Sequence, residues 1–410
     1  MVLGDAAADR IAALFVKYDP DYREKIEVRR KRFEALGQRL FARAEAGEDT
    51  HCSQQIFLEA KWLLGYTAWW PRIDARLNDL EASFAVSDQS FAAEPSPEDG
   101  FYARCADEMF IRIEDTLVNY FLMAERNELP SIERTPIEAA RTKEGLTSFV
   151  GSHLVSDIAS TGEDFRSRWG SLFSIIAAAN KRDAVLEMMR SSVRGPDLTP
   201  EQMAELRAHF NVMVDAWQDP TSGYWGAWYR EDDGVFRTTD LSITYHIVHA
   251  RRGNVRHWPE LLRTTFAIRD QAYPFGWRSD GRWTNHNNYD LAMLFRYGWQ
   301  HMDDRQREET ARTLQAMVDW SFKDTVPPDY RGFRADPELS SSLGSDFYFG
   351  VSFLVAADFF APQPWYGALT RPASPREVCP AMLAYGATLD EAIAVGGMNK
   401  LTSACRPHFH

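Results

Sequence analysis

Three times in the second half of this chain an aspartate is followed at once by an apolar run, and this repeat constrains the fold more than any other feature. Asp240 leads into Leu241, Ile243, Ile247 and Val248. Asp290 leads into Leu291, Ala292, Leu294 and Phe295. Asp346 leads into Phe347, Phe349 and Val351. The three aspartates stand 50 and then 56 residues apart. Each follows a turn rich in glycine and aromatics: Gly223 to Gly226, Phe275 to Trp277, and Tyr330 to Phe333. Charged, amphipathic stretches such as Asp303 to Phe322 lie between them. One buried and one amphipathic helix per unit is a helical hairpin, and such hairpins stack to share a core. Runs of alternating apolar and polar residues are almost absent, so little strand is expected.

The expected fold class is therefore all-α. Closing several hairpins into a ring puts the apolar helices inside and the amphipathic ones outside, which predicts an α/α toroid. The expected organisation is an N-terminal helical region over 1–135, the toroid over 136–370, and a C-terminal helix and tail over 371–410. Residues 5–45 read as helix, with Ile11, Leu14, Phe15, Phe33, Leu36 and Leu40 at helical spacing. Residues 85–100 read as a surface loop. Phe101 to Arg126 and Gly145 to Met189 read as helical. Pro130 and Pro136 break the polar stretch between them. Thr199-Pro200-Glu201 is a helix start signal for a helix running to Asp215.

Composition narrows the partners. The 410 residues carry a formal charge of −13, which argues against nucleic acid, whose phosphates need a basic face. No apolar run has the length of a membrane span. Cys52, Cys105, Cys379 and Cys405 form no CxxC pair, and the expectation is reduced thiols in a cytoplasmic protein. There is no HExxH motif, no Gly-rich phosphate loop and no GxSxG elbow, so neither metal nor cofactor is expected. The oligomeric state is left open.

The turn from Trp217 to Trp228, with Gln218-Asp219-Pro220, Ser222-Gly223 and Trp225-Gly226, resembles the turns between helix pairs of α/α-toroid enzymes. These include glycoside hydrolases, polysaccharide lyases and the terpenoid cyclase/prenyltransferase group. The resemblance covers roughly residues 150–365. The Asp-x-Asp-Asp signature of the cyclases and the zinc set of the protein prenyltransferases are absent. Asn285-His286-Asn287-Asn288-Tyr289-Asp290 is similar to a segment of alginate-lyase-type toroids. There, the resemblance implies, an Asn neutralises a uronate carboxylate and a His or Tyr moves the proton. Here His286 follows one Asn and precedes two, which departs from the family's order.

This polar stretch reads as a loop feeding a buried helix. In a ring, the starts of the inner helices converge, so Asp240, Asp290 and Asp346 point to one cleft, with His286 and Tyr289 beside them. These five are the candidate catalytic residues. Paired carboxylates are what glycoside hydrolysis needs, one as acid and one as base or nucleophile. The competing reading makes each aspartate a helix cap. Candidate substrate-binding residues are Asn285, Asn288, His246, Tyr245, Tyr348 and Asp164, the carboxylate-holding Arg166 and Arg278, and the stacking Trp225, Trp228, Trp277 and Trp283. Core packing is the alternative for each aromatic and for His246. The expected function is cleavage of an oligo- or polysaccharide, by hydrolysis or elimination. The alternatives are a terpenoid cyclase-like or prenyl-binding protein with an aromatic cavity, and a non-catalytic helical scaffold.

Overall fold

The repeated apolar runs become helices that are buried almost all round. In the computed structural model, which describes residues 4–86, 105–108, 111–112, 141–168, 198–232, 234–278, 282–335, 342–389 and 392–408, they are α8 (Leu241–Ala250), α10 (Asn285–Gly298) and α12 (Leu343–Ala356). Before them come α1 (Gly4–Tyr18), α2 (Tyr22–Glu45), α3 (His51–Tyr66), α4 (Trp70–Ser83), α5 (Lys143–Gly151), the short α6 (Ile158–Thr161) and α7 (Pro200–Trp217). Interleaved and following are α9 (Trp258–Ala267), α11 (Asp304–Trp320), α13 (Pro375–Gly386) and α14 (Ala392–Cys405). The chain is thus mostly helical, as the patterning predicts.

Capping chemistry fixes the helix starts. Thr199 opens α7 and Asp303 opens α11, each with a reciprocal capping box to the glutamine three residues on, satisfying two orphan donors at once. Asp240 caps α8, accepting from Ile243 N–H at 2.9 Å. The other two aspartates do not cap. Thr284 caps α10 and Ser342 caps α12, so the stretch read as a loop before Asp290 is already helix from Asn285. The single N-terminal helix expected over 5–45 is two. They part at Asp19 to Asp21, where Pro20 cannot continue a helical ladder.

Four helices lie side by side in the order α8, α10, α12, α14. Contacts between α8 and α10 climb together, Tyr245 with Tyr289 and His249 with Tyr297, so these helices are parallel. The pair α12 and α14 behaves alike, with Tyr348 against Gly396 and Ser352 against Lys400. The amphipathic helices return. Phe266 of α9 stacks on Phe295 while Trp258 and Leu262 reach Gly298, which is an antiparallel register. Trp320, at the end of α11, meets Trp283 at the start of α10. On the other side, α2 touches α12.

A small sheet braces one end. Strand β1 (Val155–Ser156) pairs parallel to β2 (Trp228–Glu231), which pairs antiparallel to β3 (Gly234–Arg237). Gly226 has φ +67°, and a Cβ there would meet the Thr238 carbonyl at 2.2 Å. Only glycine lets the turn cross that strand so closely, and Asp240 follows two residues later.

The cysteines correct the expectation of reduced thiols. Cys52 pairs with Cys105, and Cys379 with Cys405. The second bridge staples the antiparallel hairpin of α13 and α14. The first ties α3 to a segment that also supplies Asp107, whose N–H donates to the buried Glu59 at 2.8 Å. Most of the helix expected over Phe101 to Arg126, and the part of Gly145 to Met189 from Trp169 on, lie outside the described residues, as does 87–100 of the expected loop. Among the described residues no helix is long and apolar enough to cross a membrane.

Candidate active site

Parallel neighbours start at the same end, so the first two turns of α8, α10 and α12 share one region. The residues that meet there are polar, buried and charged. Asp240 is fully buried and is gripped by Arg166, through Nε to Oδ2 and through Nη2 to Oδ1 at 3.2 Å. The fork geometry suits a carboxylate. The carboxylate Arg166 holds here belongs to the protein, not to a ligand as expected of it. Arg166 Nη1 also donates to the Tyr66 hydroxyl at 2.7 Å.

The small sheet sets Asp164 beneath this pair. Register partners Ser156 and Tyr229 both donate to its carboxyl, at 3.2 Å each, and the Arg166 backbone N–H donates at 2.8 Å. Burial still dominates and pushes the Asp164 carboxyl up to about 6. Asp164, Arg166 and Tyr66 form the floor of a cavity of about 530 Å³ walled by α1 and α2, among them Ile11, Phe15 and Ile26.

Asp290 lies in the second turn of α10, fully buried. Its Oδ2 accepts from the Tyr273 hydroxyl at 3.4 Å and is 3.8 Å from His286 Nε2. Among the described residues its Oδ1 has no hydrogen-bond partner. Burial raises this carboxyl well above the usual carboxylate range. The Tyr273 hydrogen bond works against that, and nearby Asp240 adds to it. His286 differs from its neighbours because 40% of its side chain is accessible. Its ring stacks on Phe349 at 4.0 Å and tilts against Tyr273 at 5.9 Å. Its surroundings draw its pKa down to about 3, with burial the first cause and His246, Lys61 and Arg166 adding to it. His246, half-buried and close to the Arg166 charge, falls to about 4, with desolvation the first cause. Both imidazoles are neutral at pH 7, each with one nitrogen to accept and one to donate. Asp346, half-buried in the first turn of α12, lies one turn before Phe349.

The tyrosines lie on an adjoining face of α10. Tyr289 and Tyr348 come together around Lys400 of α14, with Tyr245 edge-on to Tyr289 at 5.5 Å. Lys400 Nζ donates to the Tyr348 hydroxyl at 2.9 Å, to Tyr289 at 3.4 Å and to Ser352 at 2.7 Å. Tyr289, expected beside His286, thus belongs to a neighbouring cluster.

Several expected ligand contacts are structural. Trp225 and Trp277 are core, with their indole N–H groups donating to the carbonyls of Val214 and Thr265. Their bulk fills the space between hairpins, so they do not stack on a ligand. Asn285 is held by Thr325 and Ser321, and Asn288 is completely buried. Trp228 carries Arg237 over its ring at 3.9 Å, and Trp283 carries Arg278 at 5.7 Å. Patterning passed over Tyr66, Tyr229, Tyr273, Lys61, Lys400 and Ser352. Of these, Tyr273 precedes the Phe275 turn, Tyr229 follows the Trp217–Trp228 turn and Ser352 follows the Asp346 repeat, so each lies beside a motif that could have flagged it.

Comparisons with protein-family models, with curated proteins and with solved structures find no match.

Proposed function

We propose that this chain is a carbohydrate-active enzyme that cleaves an oligo- or polysaccharide by acid/base chemistry at the His286–Asp290 pair, in the mouth of an α/α toroid. The observation that carries the reading is a side chain that a ligand can reach, His286, with its Nε2 3.8 Å from the buried Asp290 carboxyl. The pair supplies the groups that take a proton from a ligand or give one to it, and the Arg166–Asp240 ion pair sets the charge around them. Hydrolysis needs an acid at the glycosidic oxygen and a base on the water that attacks the anomeric carbon, and elimination needs a base at the carbon beside the uronate carboxylate and an acid at the leaving oxygen; a histidine and a carboxyl side by side can fill one or both of these roles. Closure into a ring is supported by four parallel helices with antiparallel return helices, and by α2 and Lys61 of α3 lying opposite them. The cavity beside Arg166 has apolar walls from Ile11, Phe15 and Ile26, which keeps an isoprenoid ligand as the second reading; the buried carboxyls and the His286–Asp290 pair favour the first. The paired cysteines favour an oxidising compartment over the cytoplasm.

The test is a glycan panel read for reducing ends and for new ultraviolet absorbance, the latter marking the unsaturated sugar that only elimination makes. On the substrate found, Asp290→Asn and His286→Ala lower turnover by about 10²–10⁴-fold, the usual contribution of a positioned acid or base, with unchanged circular dichroism. Full turnover in both folded variants removes the pair from the chemistry.

A further inference from the structure

Among the described residues Lys400 is a cation without an anion. Its ammonium donors reach three neutral oxygens, Ser352 at 2.7 Å, Tyr348 at 2.9 Å and, most weakly, Tyr289 at 3.4 Å, the bond a ligand oxygen would replace. Nζ also stands 4.1 Å and 4.8 Å from the ring centroids of Tyr348 and Tyr289. Among the described residues no carboxylate lies within ion-pairing distance of it. Ring faces and hydroxyls offset part of the cost of a half-buried charge, but a charge taken from water without a counter-ion stays expensive. In a chain of formal charge −13, acidic side chains are plentiful, yet none of the described ones is placed here.

The backbone holds the lysine in position. Gly396 and Gly397 bring α14 close to α12, where an added Cβ would stand 3.3 Å from the Tyr348 ring and 3.1 Å from Phe347. Each hydroxyl accepts from Lys400 and so keeps its own proton to donate. One positive charge and three hydroxyl groups meet at Lys400 Nζ.

We propose that the Lys400, Tyr348, Tyr289 and Ser352 cluster is an anion-binding site that takes the carboxylate of a ligand. A single lysine matches a monoanion, so a carboxylate fits better than a phosphate dianion. The proposal stands apart from the cleavage reading, because the site binds whether or not His286 and Asp290 turn over a glycan.

Binding is measured on the full chain by calorimetry and saturation-transfer NMR at constant ionic strength. The probes are D-glucuronate and benzoate, with D-glucose and benzyl alcohol as neutral matches and inorganic phosphate as the dianion. The wild type binds the carboxylates in preference to their neutral matches. Lys400→Met weakens them about 10- to 100-fold, the loss of a charge-assisted hydrogen bond, and Lys400→Arg keeps part of the affinity. Ser352→Ala, which leaves the lysine in place, weakens carboxylate binding by a smaller factor and serves if Lys400→Met does not fold. Equal binding by Lys400→Met and wild type, no preference for carboxylate over its neutral match, or tighter binding of phosphate than of carboxylate overturns the assignment.

Discussion

Replacing Asp164 with Asn separates the charge of this buried carboxyl from its shape. The carboxyl is 6% exposed, and burial raises it from 3.8 to about 6. A carboxyl with a raised native pKa favours its protonated form in the fold. Stability from this group is therefore greatest in acid, falls as pH climbs from about 4 to about 6, and is constant above. The full span is a shift of about two pKa units, or roughly 3 kcal/mol. Asparagine keeps an oxygen for Ser156 and the Arg166 N–H, and its amide faces the Tyr229 hydroxyl, which can accept instead of donating. It has no proton to lose. The stability of Asp164→Asn relative to wild type should then rise by about 3 kcal/mol between pH 4 and pH 7, whatever the constant offset. Urea unfolding of both proteins across that range measures the difference, and titrations common to both cancel in it. A difference that does not change with pH would show that Asp164 ionises in the fold as readily as in the unfolded chain.

Two further outcomes follow from charges and crosslinks. Arg166→Met strands the buried Asp240 carboxylate and should cost about 3–5 kcal/mol, much of it restored by adding Asp240→Asn; a loss below about 1 kcal/mol in urea unfolding contradicts the buried pair. Cys52–Cys105 and Cys379–Cys405 join positions 53 and 26 residues apart. On chain entropy these bridges contribute about 4 and about 3.5 kcal/mol. Removing the second as Cys379→Ser with Cys405→Ser should lower the unfolding free energy by about 3 kcal/mol, and a melting temperature that is the same before and after verified full reduction counts against it.

The helices were legible because an inner helix has no polar face to keep. A run such as Leu291 to Phe295 announces burial by itself, and the charged run after Asp303 announces its solvated partner. Boundaries were less legible. Asp290 and Asp346 looked like caps because cap chemistry and site chemistry use the same residue type. What decided was a competing Thr284 and Ser342, each four to six residues earlier and each a better fit to a start signal. The cysteine pairs were not legible, since bridging depends on where helices far apart in sequence come to lie.

The site was half legible for the same reason. His286 and Asp290 were expected in one cleft from a loop; because Thr284 already starts the helix, they stand four residues apart on one helical face. Arg166, Tyr273 and Lys400 reach the same region from a sheet-braced loop, a turn and the last helix, and no spacing rule links 166 to 240 or 348 to 400. A polar residue on an apolar helix carries no label saying whether its partner is a ligand or another helix. Trp277 and His286 illustrate the difference. Both are aromatic and lie near the same aspartate. The tryptophan N–H finds a carbonyl in the core, while the imidazole stays accessible and keeps an acid at its side. Accessibility within a buried, charged setting marks the group able to do chemistry, and that property belongs to the packed molecule.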